Sequence, residues 1–164
     1  MNDLLRRRRA MMGNREDNKA YLYNYGEVGE FTGGFDIPRE VWSGYYTFPT
    51  IEQDYVQFTG INNINIFLPF RSAIDLSNYK KLVMDVEIES TLGSYSAVRG
   101  HVQSQPNTSS SYELIRSPAS TPTPLLGRTK IEIDVSEINQ SAYIFFATSG
   151  SKYYKWKLYR AWLE

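Results

Sequence analysis

KKLVMDVEIES, residues 80–90, decides the fold. Leu82, Met84, Val86 and Ile88 fall on one side of an extended chain, and Lys81, Asp85 and Glu87 on the other. Side chains of a strand alternate across its two faces. Alternation sustained over this length is the pattern of an antiparallel strand with one face on a core and one towards water. The acidic members of this strand, and those of KIEID (130–134), read as a solvated face.

The same period recurs on both sides of it. In AYLYNYGEVGEF (20–31), Tyr21, Tyr23 and Tyr25 alternate with Leu22 and Asn24. QDYVQFTG (53–60), INIFLPF (64–70), SAVRGHVQS (96–104), YELIRS (112–117), KIEIDV (130–135) and SAYIFFATS (141–149) read as further strands. Gly100 marks a possible bulge. In YYKWKLYRAWL (153–163), Trp156, Leu158 and Trp162 share one face, which assigns both tryptophans to the core. GGFDIPREVWSGYY (33–46) reads as a long loop with short extended pieces, and QPNTSSS (105–111) as another loop. The three prolines of PASTPTPLLG (118–127) rule out a central strand. The sum is roughly ten short strands and no helix in the body. That pattern predicts an all-β fold, a sandwich or barrel over residues 20–164.

One internal echo sharpens the prediction. IDLSNYKKLVMDVEI (74–88) aligns with IDVSEINQSAYIFFA (133–147). Both begin Ile-Asp-x-Ser, then cross a polar bridge into a strand. Asp and Ser side chains at such a step cap free backbone groups.

These phrases, with the closing KLYRAWLE, resemble the galactose-binding-like jelly rolls, a family that includes carbohydrate-binding modules. The resemblance covers about residues 20–164 and lies in turns and strand entries rather than in chemistry. It implies a jelly-roll β-sandwich.

The chain starts differently, with MNDLLRRRRAMMGNREDNK. Residues 1–19 hold six basic and three acidic side chains, a net +3, so the rest carries −3 and the whole is neutral. Residues 2–12 are good helix formers with Gly13-Asn14 as a stop, but a helix this short is marginal unless docked. Residues 13–19 read as a polar linker. No apolar run follows the basic residues, which argues against a secretory signal, and no stretch is long and apolar enough to span a membrane. LLRRRRAMM resembles the short leader of many phage and prophage structural proteins. That resemblance implies a virion location, a partner among other virion proteins, and several copies, a trimer being the first expectation. In this reading Leu4, Leu5, Met11 and Met12 fill apolar pockets on a partner. Arg6, Arg7, Arg8 and Arg9 pair with its acidic groups.

The chemistry available is limited. There is no Cys and a single His, His101, set in a strand-like pattern with no nucleophile elbow near it. Zinc wants several His or Cys ligands, and Asp36, Asp54, Asp75 and Asp134 are too scattered for a calcium loop. No cofactor, metal or catalytic residue is assigned. GEVGEFTGG (26–34) lacks the strand–helix setting of a phosphate loop. A net-acidic body argues against nucleic acid as the main partner. Sugar binding needs exposed rings beside planar polar groups. Trp42, Tyr45 and Tyr46, near Arg39 and Glu40, and Tyr95 in LGSYS, are the candidates. The leading expectation is a non-enzymatic virion structural protein, a tail, fibre, baseplate or capsid-surface component that displays a jelly roll for assembly or host-surface contact. The rival is a carbohydrate-binding module using exposed aromatic loops. A small glycoside hydrolase with a carboxylate pair is the third alternative.

Overall fold

The computed structural model describes residues 19–36, 46–47, 49–60, 65–91, 97–106, 110–116, 126–149 and 154–164. The docking residues Leu4 to Met12, together with Trp42, Tyr45 and Tyr95, lie outside that set.

Thirteen strands are present among the described residues: β1 (Ala20–Asn24), β2 (Glu27–Val28), β3 (Tyr46–Thr47), β4 (Thr50–Ile51), β5 (Val56–Gly60), β6 (Asn65–Pro69), β7 (Ile74–Asp75), β8 (Lys81–Thr91), β9 (Ala97–Gln103), β10 (Glu113–Arg116), β11 (Gly127–Asp134), β12 (Ser141–Ser149) and β13 (Tyr154–Leu163). Only two single-turn 3-10 segments accompany them, Glu30–Thr32 and Ser110–Tyr112. The first sheet runs β11-β8-β13-β1-β2, with β5 also on β13 and β4 on β5. The second runs β10-β9-β12-β6-β3, with β7 on the start of β12. All pairs are antiparallel except β3 with β6. This is a jelly-roll β-sandwich, as the alternating runs predict.

The closing strand organises the first sheet. β13 pairs with β8 along one edge, and with β5 and then β1 end to end along the other. Its inward residues Trp156, Leu158, Ala161 and Leu163 join Leu82, Met84, Val86 and Ile88 of β8 in the core. Phe58 of β5 stacks flat on Trp156, ring centroids 4.0 Å apart. From the second sheet come Leu68, Val98, Val102, Ile144 and Phe146. Burying these side chains is the main source of stability, at about 1.5–3 kcal/mol for each large one.

The repeated Ile-Asp-x-Ser steps are the same turn. Asp75 Oδ1 accepts from Ser77 N (3.0 Å) and Oγ (2.6 Å). Asp134 Oδ1 accepts from Ser136 N (2.9 Å) and Oγ (2.6 Å). These bonds hold both carboxyls below the usual range. The residue between Asp and Ser, Leu76 or Val135, is fully buried. Each turn thus closes one end of the sandwich with an apolar plug.

Three expectations need correction. The β1–β13 register shifts between Tyr21 and Tyr23, so Leu22 and Tyr23 are both fully buried instead of alternating. Burial pushes the Tyr23 hydroxyl up to about 12. A second shift in β13, between Leu158 and Arg160, reverses the faces that follow. Trp162 is therefore buried on the outer side of the sheet, opposite Val83, and not in the core beside Leu158. Gly100 makes no bulge, since its ladder with β12 is continuous. It is needed for room: a Cβ there would lie 2.6 Å from Ile133 Cδ1.

The β1–β2 hairpin closes through Tyr25 and Gly26, both at positive φ (45° and 87°). A two-residue loop with that geometry matches the right-handed twist of its strands. A Cβ on Gly26 would drive into the Gln53 carbonyl oxygen. Gly26→Ala is expected to cost about 1–3 kcal/mol, read as a lower urea midpoint. An unchanged midpoint would contradict this turn geometry.

Candidate functional site

The sandwich has two outer faces with different chemistry. On the first sheet, alternation brings Asp85, Glu87 and Glu89 of β8 beside Lys155, Lys157, Tyr159 and Arg160 of β13 and Arg128 of β11. Asp85 is not solvated, as its strand pattern implies, but only 4% exposed. Arg128 reaches its two oxygens at 2.7 and 3.0 Å, and Arg160 reaches Oδ2 at 2.7 and 3.0 Å. The guanidiniums, rather than depth in the sandwich, cover it. Burial alone would raise the Asp85 carboxyl, but the two arginines outweigh it and hold the carboxyl below its usual value.

The rings on this face are already in use. Arg128 lies 3.7 Å over Tyr159, Lys157 4.9 Å over Tyr55 and Arg160 5.4 Å over Tyr25. The Tyr159 hydroxyl donates to Glu87 at 2.6 Å. Lys157 and Lys155 both pair with Glu89. Cation–π and ion-pair contacts of this kind saturate a surface. Among the described residues of this sheet, the Tyr159 and Tyr55 rings are thus turned to cations of the same face.

The outer face of the second sheet differs. In β9, Val98, Gly100 and Val102 point into the core, so Arg99, His101 and Gln103 point out. Register with β12 sets Ala147, Phe145 and Tyr143 beside them, and register with β6 adds Phe67 and Pro69. From β10, Glu113 comes opposite Gln103. The result is a row of planar polar groups flanked by rings. Although they face away from the core, Gln103 is 1% exposed, Phe145 1%, Ala147 2% and His101 9%.

Glu113 Oε2 sits 3.2 Å from His101 Nδ1, an arrangement that turns Nε2 away from the carboxylate. The Phe67 ring meets the imidazole edge-on at 6.3 Å. Gln103 Oε1 is a buried acceptor with no hydrogen-bond partner. Buried polar atoms are nearly always paired, and leaving one unpaired costs about 1–3 kcal/mol. Among the described residues, no group of three or more His, Asp or Glu could hold a metal ion.

Of the residues proposed from sequence, Tyr46 is in β3, in register with Asn65 at the edge of this same sheet. Trp42, Tyr45 and Tyr95 fall in the 37–45 and 92–96 segments, outside the described residues. His101 is a strand residue, as its pattern suggests. Sequence reasoning missed its companions Arg99, Gln103, Glu113 and Tyr143. The available signal was the alternation of Arg, His and Gln against Val, Gly and Val in one short strand.

No family model matches the chain, and no curated protein matches it. Among solved structures it is similar to the family 11 carbohydrate-binding module from Clostridium thermocellum, solved in complex with a β-1,3-1,4-mixed-linked tetrasaccharide. The identity is 15%, over 88% of this chain and 94% of that one, with a TM-score of 0.49. The fold and the site stand on the topology and side chains described above, independently of that likeness.

On the first sheet, Asp85→Asn leaves two guanidiniums without their anion. It is expected to lower stability at neutral pH by about 1–3 kcal/mol. Because the folded carboxyl lies below its unfolded value of about 3.9, its contribution is complete above that value. It is lost as pH falls through the lower folded one. The gap between native and variant unfolding midpoints should therefore close in acid. A gap independent of pH would show that charge is not the cause.

Proposed function

We propose that the protein is a glycan-binding β-sandwich module whose ligand lies on the outer face of the second sheet, along Arg99, His101, Gln103, Glu113, Tyr143 and Phe67. The carrying observation is the unpartnered, buried Gln103 Oε1 within a row of planar polar groups. An acceptor so placed wants a donor, and sugar hydroxyls are donors. Glu113, Arg99 and His101 are its polar neighbours on the same face. Both rings, Phe67 and Tyr143, offer apolar surface to the C–H faces of a pyranose. Few, well-placed polar groups within aromatic surroundings are the usual make-up of a small-molecule site. An uncharged, unpartnered acceptor such as Gln103 Oε1 favours a neutral, hydroxyl-rich glycan over one that brings a carboxylate to the same point.

A glycan panel followed by calorimetry tests this reading. A specific neutral oligosaccharide should bind, and Gln103→Leu or His101→Ala should each weaken it about tenfold or more. Undiminished binding in both variants would overturn the assignment of the face. Trp42→Ala and Tyr46→Ala, measured on the same glycan, test whether the aromatics singled out from the sequence extend the site.

The N-terminal segment supports a second element of function, a tether to a larger assembly such as a virion. Ala20 pairs with Leu163, so the sandwich begins beside the end of β13. Leu4, Leu5, Met11, Met12 and the four arginines between them would then dock on a partner subunit. Deletion of residues 1–18 is expected to leave the folded body and its glycan binding intact while abolishing incorporation into particles. Normal occupancy of the truncated protein would contradict the tether.

A further inference from the structure

Among the described residues, β11 is the longest strand at the edge of a sheet. Its eight residues pair with β8 alone, in a ladder without a shift, and its other side meets no strand among the described residues. An open row of backbone N–H and C=O groups is a template for another strand. Proteins commonly protect such an edge with proline, a bulge or charge. β11 has neither proline nor bulge, which leaves its charges. Arg128, Lys130, Glu132 and Asp134 are exposed on its outer face, two positive and then two negative, while Thr129, Ile131 and Ile133 alternate with them on the inner face. Within one copy this row is already matched to β8. Arg128 holds Asp85 and stands in register with Glu87, Lys130 is in register with Asp85, Glu132 accepts from Lys81, and Asp134 is in register with Lys81. The row is neutral in sum, so what it carries is an order of charge.

Backbone direction is set independently of charge. Lys81 donates its N–H to the Glu164 carbonyl at 2.9 Å, and Glu164 donates back to the Lys81 carbonyl at 3.0 Å. Asp134, opposite Lys81, therefore turns its own N–H and C=O to the open side. Val135 instead donates to the Lys80 carbonyl at 2.9 Å, towards β8. These directions alternate along an antiparallel ladder. Arg128, Lys130, Glu132 and Asp134 thus present their backbone groups outward, and Thr129, Ile131 and Ile133 present theirs to β8. A second β11 related by a two-fold axis can bond to the outward groups only where even-numbered residues oppose one another. Centred on Ile131, that pairing sets Arg128 opposite Asp134 of the second copy and Lys130 opposite its Glu132, each twice by symmetry. Every other centre from Arg128 to Asp134 opposes like charges, which is unfavourable across a strand pair.

We propose that β11 pairs antiparallel with β11 of a second copy of this chain, joining the first sheets of two sandwiches across a two-fold axis at Ile131. Main-chain hydrogen bonds of the four charged residues hold the strands together. The charge order excludes the other registers, which is how it serves specificity more than affinity. On the inner face Ile131 meets Ile131 of the second copy in a non-hydrogen-bonded pair, where side chains come closest, and Thr129 meets Ile133. The result is a pair, where the resemblance of the leader implies a trimer. It uses no residue of the second sheet and does not depend on the glycan assignment there.

Sedimentation equilibrium of the full chain should show a reversible dimer. Lys130→Glu and Glu132→Lys, each alone, oppose like charges twice and should weaken association about tenfold or more. Mixed in equal amounts, the two variants should associate with each other, since one then presents two carboxylates to two ammonium groups. Cysteine crosslinking decides independently of how well the charge variants fold. The chain has no native Cys, so Ile131→Cys, on the axis, should give a disulfide-linked dimer under mild oxidation. Thr129→Cys, set opposite Ile133, should not. A monomer at every concentration up to about 1 mM, association unchanged in both charge variants, a mixture no stronger than its parts, or equal crosslinking through positions 129 and 131 would each overturn the proposal.

Discussion

The β-bulge at Tyr159 is the constraint on which the first sheet depends. Before it, Trp156 and Leu158 face the core; after it, Ala161 and Leu163 do. An uninterrupted strand would carry the parity of Trp156 and Leu158 onward and send Arg160 inward, where a guanidinium without a partner is prohibitively costly. The extra residue turns Tyr159 and Arg160 outward together. Arg160 then closes on Asp85, and Tyr159 bonds Glu87 while lying under Arg128. Bulges commonly re-aim side chains in this way. The matching irregularity in β1 buries Leu22 and Tyr23 side by side where β1 meets β13. The strand that completes the core thus also builds the charged outer lattice.

Much of this architecture was legible in the sequence. The period-two run of β8 gave its inward set correctly, and the paired Ile-Asp-x-Ser phrases are the same capped turn twice. What alternation could not reveal is where it breaks. Trp162 reads as core, and Leu22 and Tyr23 as alternating, because a bulge leaves no mark in a strand composed of good strand formers. Asp85 was misread for another reason. A carboxylate between apolar neighbours looks the same whether water or two arginines cover it, and those arginines lie 43 and 75 residues away in sequence.

The candidate site was less legible than the fold. Each of its residues is ordinary within its own strand, and their meaning comes from register. His101 belongs with Glu113 only because β10 pairs with β9, and Gln103 meets Tyr143 only through β12. The aromatic residues favoured from sequence were chosen for loop-like surroundings, where exposure is easiest to infer. Strand positions facing away from a core carry the same chemistry with better preorganisation, because the ladder fixes their spacing. The two outer faces differ in electrostatics. One pairs its charges with one another; the other retains a buried acceptor beside polar and aromatic neighbours.

The central claim is that neutral glycan is held on the second sheet. Its most direct test is a backbone-amide NMR titration of the full chain with the tightest-binding neutral oligosaccharide from a panel. Shift changes concentrated along β9 and β12, around His101, Gln103 and Tyr143, are the expected result. Changes confined to β8, β11 and β13, or none at saturating oligosaccharide, would contradict it.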